Sequence, residues 1–204
     1  MEEKTTSEPL FVSSSTNIVA APLARLCQAS HLLSLVLTHV NDTNSSAEVR
    51  LEEAKQLSRA ILALSSFMSI EIGPHATRIF VPKAVCLSAL FALYEHSAKV
   101  RQGAFALPTE FELYQLGASG LHSLVPLVAE YATHIQTILP YNLSQASPLV
   151  CNCLYRTAVW ISSLAVEEMR PDYSRLLLTA RDALQKLSVR WKLAGEAMSE
   201  ARDG

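Results

Sequence analysis

The chain has 204 residues, 50% of them hydrophobic and 18% charged, with a formal net charge of −2 and a pI near 6.3. It is apolar enough to fold around a core, which excludes disorder as its dominant state, but it falls short of the ~25% charge of an average globular domain. The near-neutral balance excludes the basic footprint of a free-standing nucleic-acid binder, and the charge deficit leads us to expect apolar surface that meets a partner.

Residues 1–20 are polar and rich in Ser and Thr, as in Ser13-Ser14-Ser15-Thr16-Asn17, and read as a flexible leader. Glu2, Glu3 and Glu8 precede any apolar run, which argues against a signal or transit peptide. The expectation is therefore an intracellular protein, in which the sequons at Asn41, Asn44 and Asn142 are chance matches. Pro22 opens a first helix to about Val40, with Leu26, Leu33, Leu37 and Val40 at helical spacing. Ser45-Ser46-Ala47-Glu48 fits a capping box, and Leu51, Ala54, Leu57, Ile61, Leu64 and Met68 then form one apolar face opposite Glu52, Lys55 and Arg59. Gly73-Pro74 stops this helix.

Ile79-Phe80-Val81 is too short for a convincing strand, so the next helix is expected from Pro82 to about Gln102, with Leu87, Leu90, Leu93 and Tyr94 inward. Glu110 to Leu139 reads as helix interrupted at Gly117, Gly120 and Pro126. Each glycine costs ~1 kcal/mol and an interior proline ~3, so two shorter helices are expected. Ser147-Pro148 reopens a helix to Met169 that is apolar almost all round (Val150, Leu154, Val159, Trp160, Ile161, Leu164, Val166), which makes it the candidate central helix. Arg170-Pro171-Asp172 breaks it. In the last helix Leu177, Ala180, Leu184, Leu187, Trp191, Ala194 and Met198 follow a 3-4 spacing that suits a core-packing seam. Its six basic residues from Arg170 to Lys192 read as a solvated face.

The fold class is thus all-α: about six to seven helices in an irregular antiparallel bundle, with residues 21–200 as one helical domain and 201–204 as a tail. The uncharged runs Leu26–Asn41 and Tyr131–Tyr155 are too short or too interrupted by proline to span a membrane.

Chemistry-bearing motifs are sparse. There is no glycine-rich phosphate loop, Gly-x-Ser-x-Gly elbow or His-Glu-x-x-His pair. Cys27, Cys86, Cys151 and Cys153 have apolar neighbours and read as buried thiols, and Cys151 and Cys153 point ~200° apart on a helix, so they cannot share a zinc ion. His31 and His39 fall on one helical face but ~12 Å apart, too far for one ion. Glu52-Glu53 and Glu167-Glu168 read as exposed charge. No catalytic, cofactor-binding or metal-ligating residue is assigned, no cofactor is expected, and the chain is expected not to be an enzyme.

Two segments carry a resemblance. Ser147-Pro148-Leu149-Val150-Cys151 with Leu154-Tyr155-Arg156-Thr157-Ala158, followed by Ala183-Leu184-Gln185-Lys186-Leu187-Ser188-Val189 and the closing Arg190-Trp191-Lys192-Leu193-Ala194-Gly195-Glu196, resembles the end of the regulatory domain of fungal zinc binuclear-cluster transcription factors. The resemblance extends from Pro22 to Glu196 and is most specific over the final fifty residues. It implies a helical regulatory region, location in the nucleus and control of transcription, often of metabolite biosynthesis. The family's six-cysteine zinc module has no counterpart here, since none of the four cysteines shows Cys-x-x-Cys spacing, so no DNA-contact or zinc residue is carried over. The expectation is a regulatory part that works through a protein partner or homodimer, or a small apolar effector, without direct nucleic-acid contact and without a membrane. The competing readings are a stand-alone helical ligand-sensing or adaptor protein, which is expected in the cytoplasm, and a small helical biosynthetic enzyme.

Overall fold

Six helices make up the computed structural model, which describes residues 22–70, 76–99, 108–142, 147–168 and 171–188. They are α1 (Pro22–Asn41), α2 (Ala47–Ile70), α3 (Ala76–Ala98), α4 (Pro108–Asn142), α5 (Pro148–Glu168) and α6 (Pro171–Ser188), and no strand occurs among the described residues. The chain is all-α, as its periodicity requires. The leader, the tail and the seam positions Trp191, Ala194 and Met198 lie outside the described residues, as do His75 and the side chains of Leu164, Val166, Glu167 and Glu168.

Local chemistry sets several of the boundaries. Between α1 and α2 the Asp42 carboxylate accepts from the amides of Asn44 (2.8 Å) and Ser45 (3.4 Å) and from the Ser45 hydroxyl, a turn that satisfies backbone donors before the helix begins. The cap of α2 is then Ser46, whose hydroxyl accepts from the Val49 amide at 3.4 Å. At α5, Ser147 caps through a bond from the Leu149 amide at 3.3 Å, and Pro148 takes the first helical position.

The six apolar positions expected to face inward on α2 are all buried, as are Leu87, Leu90, Leu93 and Tyr94 on α3. Elsewhere the structure corrects the expectation. Helix α3 starts at Ala76, so Ile79-Phe80-Val81 is helical and Pro82 lies inside the helix. The helix tolerates the lost N–H because every residue from Pro82 to Phe91 is buried, and packing outweighs the local cost. That unbroken run also makes α3, not α5, the central helix: α1, α2, α4 and α5 all pack against it. Helix α5 leaves Val159 46% exposed and Trp160 half-buried.

Helix α4 is one continuous 35-residue helix, not two. Its glycines are contact residues. A Cβ on Gly117 would lie 2.7 Å from the Tyr94 carbonyl oxygen, and one on Gly120 would lie 2.5 Å from the Tyr94 ring. The missing side chains let α4 approach the α3 backbone, and that burial offsets the propensity cost.

In α1 the buried stripe is Arg25, Gln28, Ala29, Leu32, Val36 and His39. Leu37 is exposed, and Leu26, Leu33 and Val40 are only half-buried. The expected stripe was rotated because three of the true inward residues are polar. They are partly paired: Arg25 donates to Gln28 at 3.0 Å, and His39 Nδ1 lies 2.8 Å from a Glu53 carboxylate oxygen. His31 is exposed, so the two histidines of α1 do not share an environment. Cys27 is exposed as well, against the expectation of four buried thiols. In α6 the buried positions are Tyr173, Leu176, Ala180, Ala183, Leu184 and Leu187, and Leu177 sits at the edge of the seam.

Paired contacts set the directions. Ser58 meets Tyr94 (2.6 Å) and Ser69 meets Lys83 (3.0 Å), so α2 and α3 are antiparallel. The Gly117 contact with Tyr94, and the Tyr131 hydroxyl bond to the Phe80 carbonyl at 3.1 Å, make α3 and α4 antiparallel. One hydrophobic cluster includes residues of all six helices.

Candidate functional site

The last helix does not seal against α4. Positions 122, 125, 126, 129 and 133 of α4 recur at helical spacing and place His122, Val125, Pro126, Ala129 and Thr133 along one face of a cleft. The first two turns of α6 supply the other wall, with Tyr173, Arg175, Leu176 and Thr179. The α4 wall is built from small or short side chains, which leaves a partly open space of about 630 Å³ between the helices. Pockets of ~300–1,000 Å³ with apolar walls and a few convergent polar groups are the usual form of a small-molecule site.

Both ends of the cleft are held by hydrogen bonds. At one end His122 Nδ1 and the Tyr173 hydroxyl are 3.0 Å apart, and the His122 ring meets Trp160 edge-on with centroids 6.3 Å apart. Trp160 in turn packs edge-on against Phe91 at 5.9 Å, which ties this end to α3. At the other end the Gln136 amide donates to the Thr179 carbonyl at 3.0 Å and to the Asp182 carboxylate at 2.8 Å. The helices are thus bridged above and below the opening, which keeps its width fixed without filling it.

Most of the groups weighed from sequence lie elsewhere. Cys151 and Cys153 are both buried, although they point to different sides of α5, because α5 is covered by α3 and α6. Burial pushes the Cys151 thiol up to about 11 and the Cys86 and Cys153 thiols up to about 12, leaving them protonated and unreactive. Glu53 pairs with His39, while Glu52 accepts from Gln56 at 3.0 Å. No group of three or more His, Cys, Asp or Glu among the described residues is arranged to hold a metal ion. Of the six basic residues near the C-terminus, Arg175 lines the cleft, Arg181 is half-buried and Lys186 pairs with Asp182 at 2.8 Å, while the side chains of Arg170, Arg190 and Lys192 lie outside the described residues. No described helix is long and apolar enough to cross a membrane.

Sequence reasoning missed the cleft because its two walls lie about fifty positions apart in the chain. The available signal was the stripe 122/125/126/129/133, which mixes a histidine, a proline and a threonine into an otherwise apolar helical face. Comparison of the chain with models of known families, with curated proteins and with solved structures finds no match.

Proposed function

We propose that the chain is a transcription-regulatory domain that works by non-covalent binding, taking a small effector into the α4–α6 cleft and engaging a protein partner, with neither turnover nor direct DNA contact of its own. The observation that carries the binding part is the cleft itself: apolar walls, convergent His122, Tyr173 and Arg175, and hydrogen-bonded ends. The link to transcription rests on the resemblance of Ser147–Ala158 and Ala183–Glu196 to the regulatory domain of fungal zinc-cluster factors, which also points to the nucleus and to control of metabolite biosynthesis.

The test is to fuse the full chain to an unrelated DNA-binding domain upstream of a reporter gene in a fungal host. The fusion is expected to change reporter output several-fold, and Thr133→Trp, which fills the cleft from an exposed position, is expected to alter that response. Output that follows the DNA-binding domain alone would overturn the regulatory reading. So would nanomolar, sequence-selective DNA binding by this chain alone in a mobility-shift assay at physiological salt.

A further inference from the structure

We infer that the corner where the ends of α1 and α3 meet the start of α2 binds a phosphate group, free or carried on a small molecule, between Arg50, His96 and Lys99. The corner shares no residue with the lining of the α4–α6 cleft, so the inference stands apart from the effector reading.

Contacts between three helices bring these residues together. His39, near the end of α1, bonds through Nδ1 to Glu53 of α2 at 2.8 Å, and its ring meets that of His96 on α3 edge-on at 6.2 Å. Arg50 lies one turn before Glu53, and Lys99 one turn after His96, where a spacing of three residues makes surface neighbours. The Lys99 amide bonds to the Glu95 and His96 carbonyls, each at 3.2 Å, which holds Lys99 on the last turn of α3. Arg50 and Lys99 are near enough to His96 to disfavour its protonated form.

Positive charge without a counter-charge marks the corner. The acids around it are engaged: Glu53 with His39, Glu95 with Arg156 at 2.6 Å, Glu112 with Lys55 at 3.5 Å, Glu48 with Thr109 at 3.3 Å, and Asp42 with the amides of Asn44 and Ser45. Neither Arg50 nor Lys99 forms an ion pair with a described residue, and the stretch 100–107 contains no Asp or Glu. The Nε–H of Arg50 is shielded from solvent and meets no acceptor among the described residues. A bound oxyanion satisfies that donor.

The donor set selects the guest. A guanidinium fork, an ammonium and an imidazole contributed by two helices suit a tetrahedral oxyanion, whereas a planar carboxylate is matched by the fork alone. Two permanent cations bounded by Asp42, Glu48 and Glu53 suit one discrete phosphate, not the repeating charge of a nucleic-acid backbone.

The experiment follows the backbone amide resonances of the full chain by NMR during titration with inorganic phosphate, with chloride holding the ionic strength constant. Saturable shifts are expected, confined to residues 46–53 and 96–99. Arg50→Gln is expected to weaken binding about tenfold and Lys99→Gln about threefold, as the loss of a partly shielded and of an exposed charge-assisted bond. Arg59→Gln, which removes an exposed cation farther along α2, is expected to leave the affinity unchanged. Lys99 is exposed, and an unchanged melting temperature verifies that each variant folds. A parallel titration with phenyl phosphate distinguishes the sources: equal affinity supports free phosphate, and tighter binding supports a phosphate carried on an organic body.

Shifts that do not saturate, or that spread over the whole surface, would overturn the inference. Affinity unchanged in both Arg50→Gln and Lys99→Gln, or weakened as much by Arg59→Gln, would overturn it as well.

Discussion

Cys27 is exposed while Cys86, Cys151 and Cys153 are buried, so a single protein carries one accessible thiol beside three shielded ones. With burial holding the buried thiols at about 11 to 12, their thiolate fraction at pH 8 is on the order of one part in a thousand or less. Iodoacetamide is expected to label one thiol of the native chain, and all four only after denaturation. Intact mass checks this, and a second fast thiol would contradict the packing around α3 and α5. At the junction of α1, α2 and α3, the His96 ring meets the buried His39 ring edge-on at 6.2 Å. Burial lowers the pKa of His96, and His39, Arg50 and Lys99 lower it further. Glu53, paired with His39, is the acid on the facing helix. Because the folded chain binds this proton less readily than the unfolded chain, stability is at its fullest above the ordinary value of 6.5 and falls as pH drops through it. The melting temperature of the wild type is expected to fall more between pH 8 and pH 5 than that of His96→Gln. Equal slopes would contradict this account. The carboxylates of half-buried Asp42 and exposed Glu48, whose pKa values are lowered by hydrogen bonds to Ser45 and Asn44 and to the Glu48 amide and Ser46, lose their contribution only below their usual 3.8 and 4.5, so the two effects separate in pH.

Within the elements, the three apparent helix breakers of α4 play different parts, and substitution to alanine distinguishes them. Gly117→Ala and Gly120→Ala gain ~1 kcal/mol of helix propensity but force a methyl group against Tyr94. The net effect is expected to be a loss of about 1–3 kcal/mol each. Pro126 is exposed, and Pro126→Ala restores a backbone donor, so it is expected to stabilise by about 1–3 kcal/mol. Urea denaturation checks all three, and destabilisation by Pro126→Ala would show that its ring has a packing role. These residues also mark where sequence reading ends. The inward face of α2 was legible because its six buried positions are apolar and its outward ones charged. That of α1 was not, because Arg25, Gln28 and His39 lie inside, the first two bonded to each other along the helix and His39 to Glu53 of α2. The continuity of α4 was hidden because propensity reports what a glycine costs its own helix and nothing of the neighbour it lets in. The cleft was hidden for the related reason that only the packed fold brings residues 122–133 next to residues 173–179.

For the molecule as a whole, a single hydrophobic cluster joins all six helices of the described residues, so they are expected to unfold together. Loss of helical circular dichroism and the change in tryptophan fluorescence are expected to coincide in one transition, and two separated midpoints would contradict a shared core. The low charge content is visible as large apolar side chains on the surface of several helices, with Leu23 and Leu178 about two-thirds exposed (71% and 67%). They are spread over separate elements, which is why composition alone placed no partner surface. The close contact of Gly117 and Gly120 with α3 has a mechanical consequence as well. It acts as an axial stop: sliding α4 along α3 by one turn, ~5.4 Å, would drive Leu121 or Leu113 into the Tyr94 backbone and pull Tyr131 from Phe80 and Glu130 from Lys83. One wall of the cleft is therefore held in register on α3, and the bonds of His122 to Tyr173 and of Gln136 to Thr179 and Asp182 pass that register on to α6.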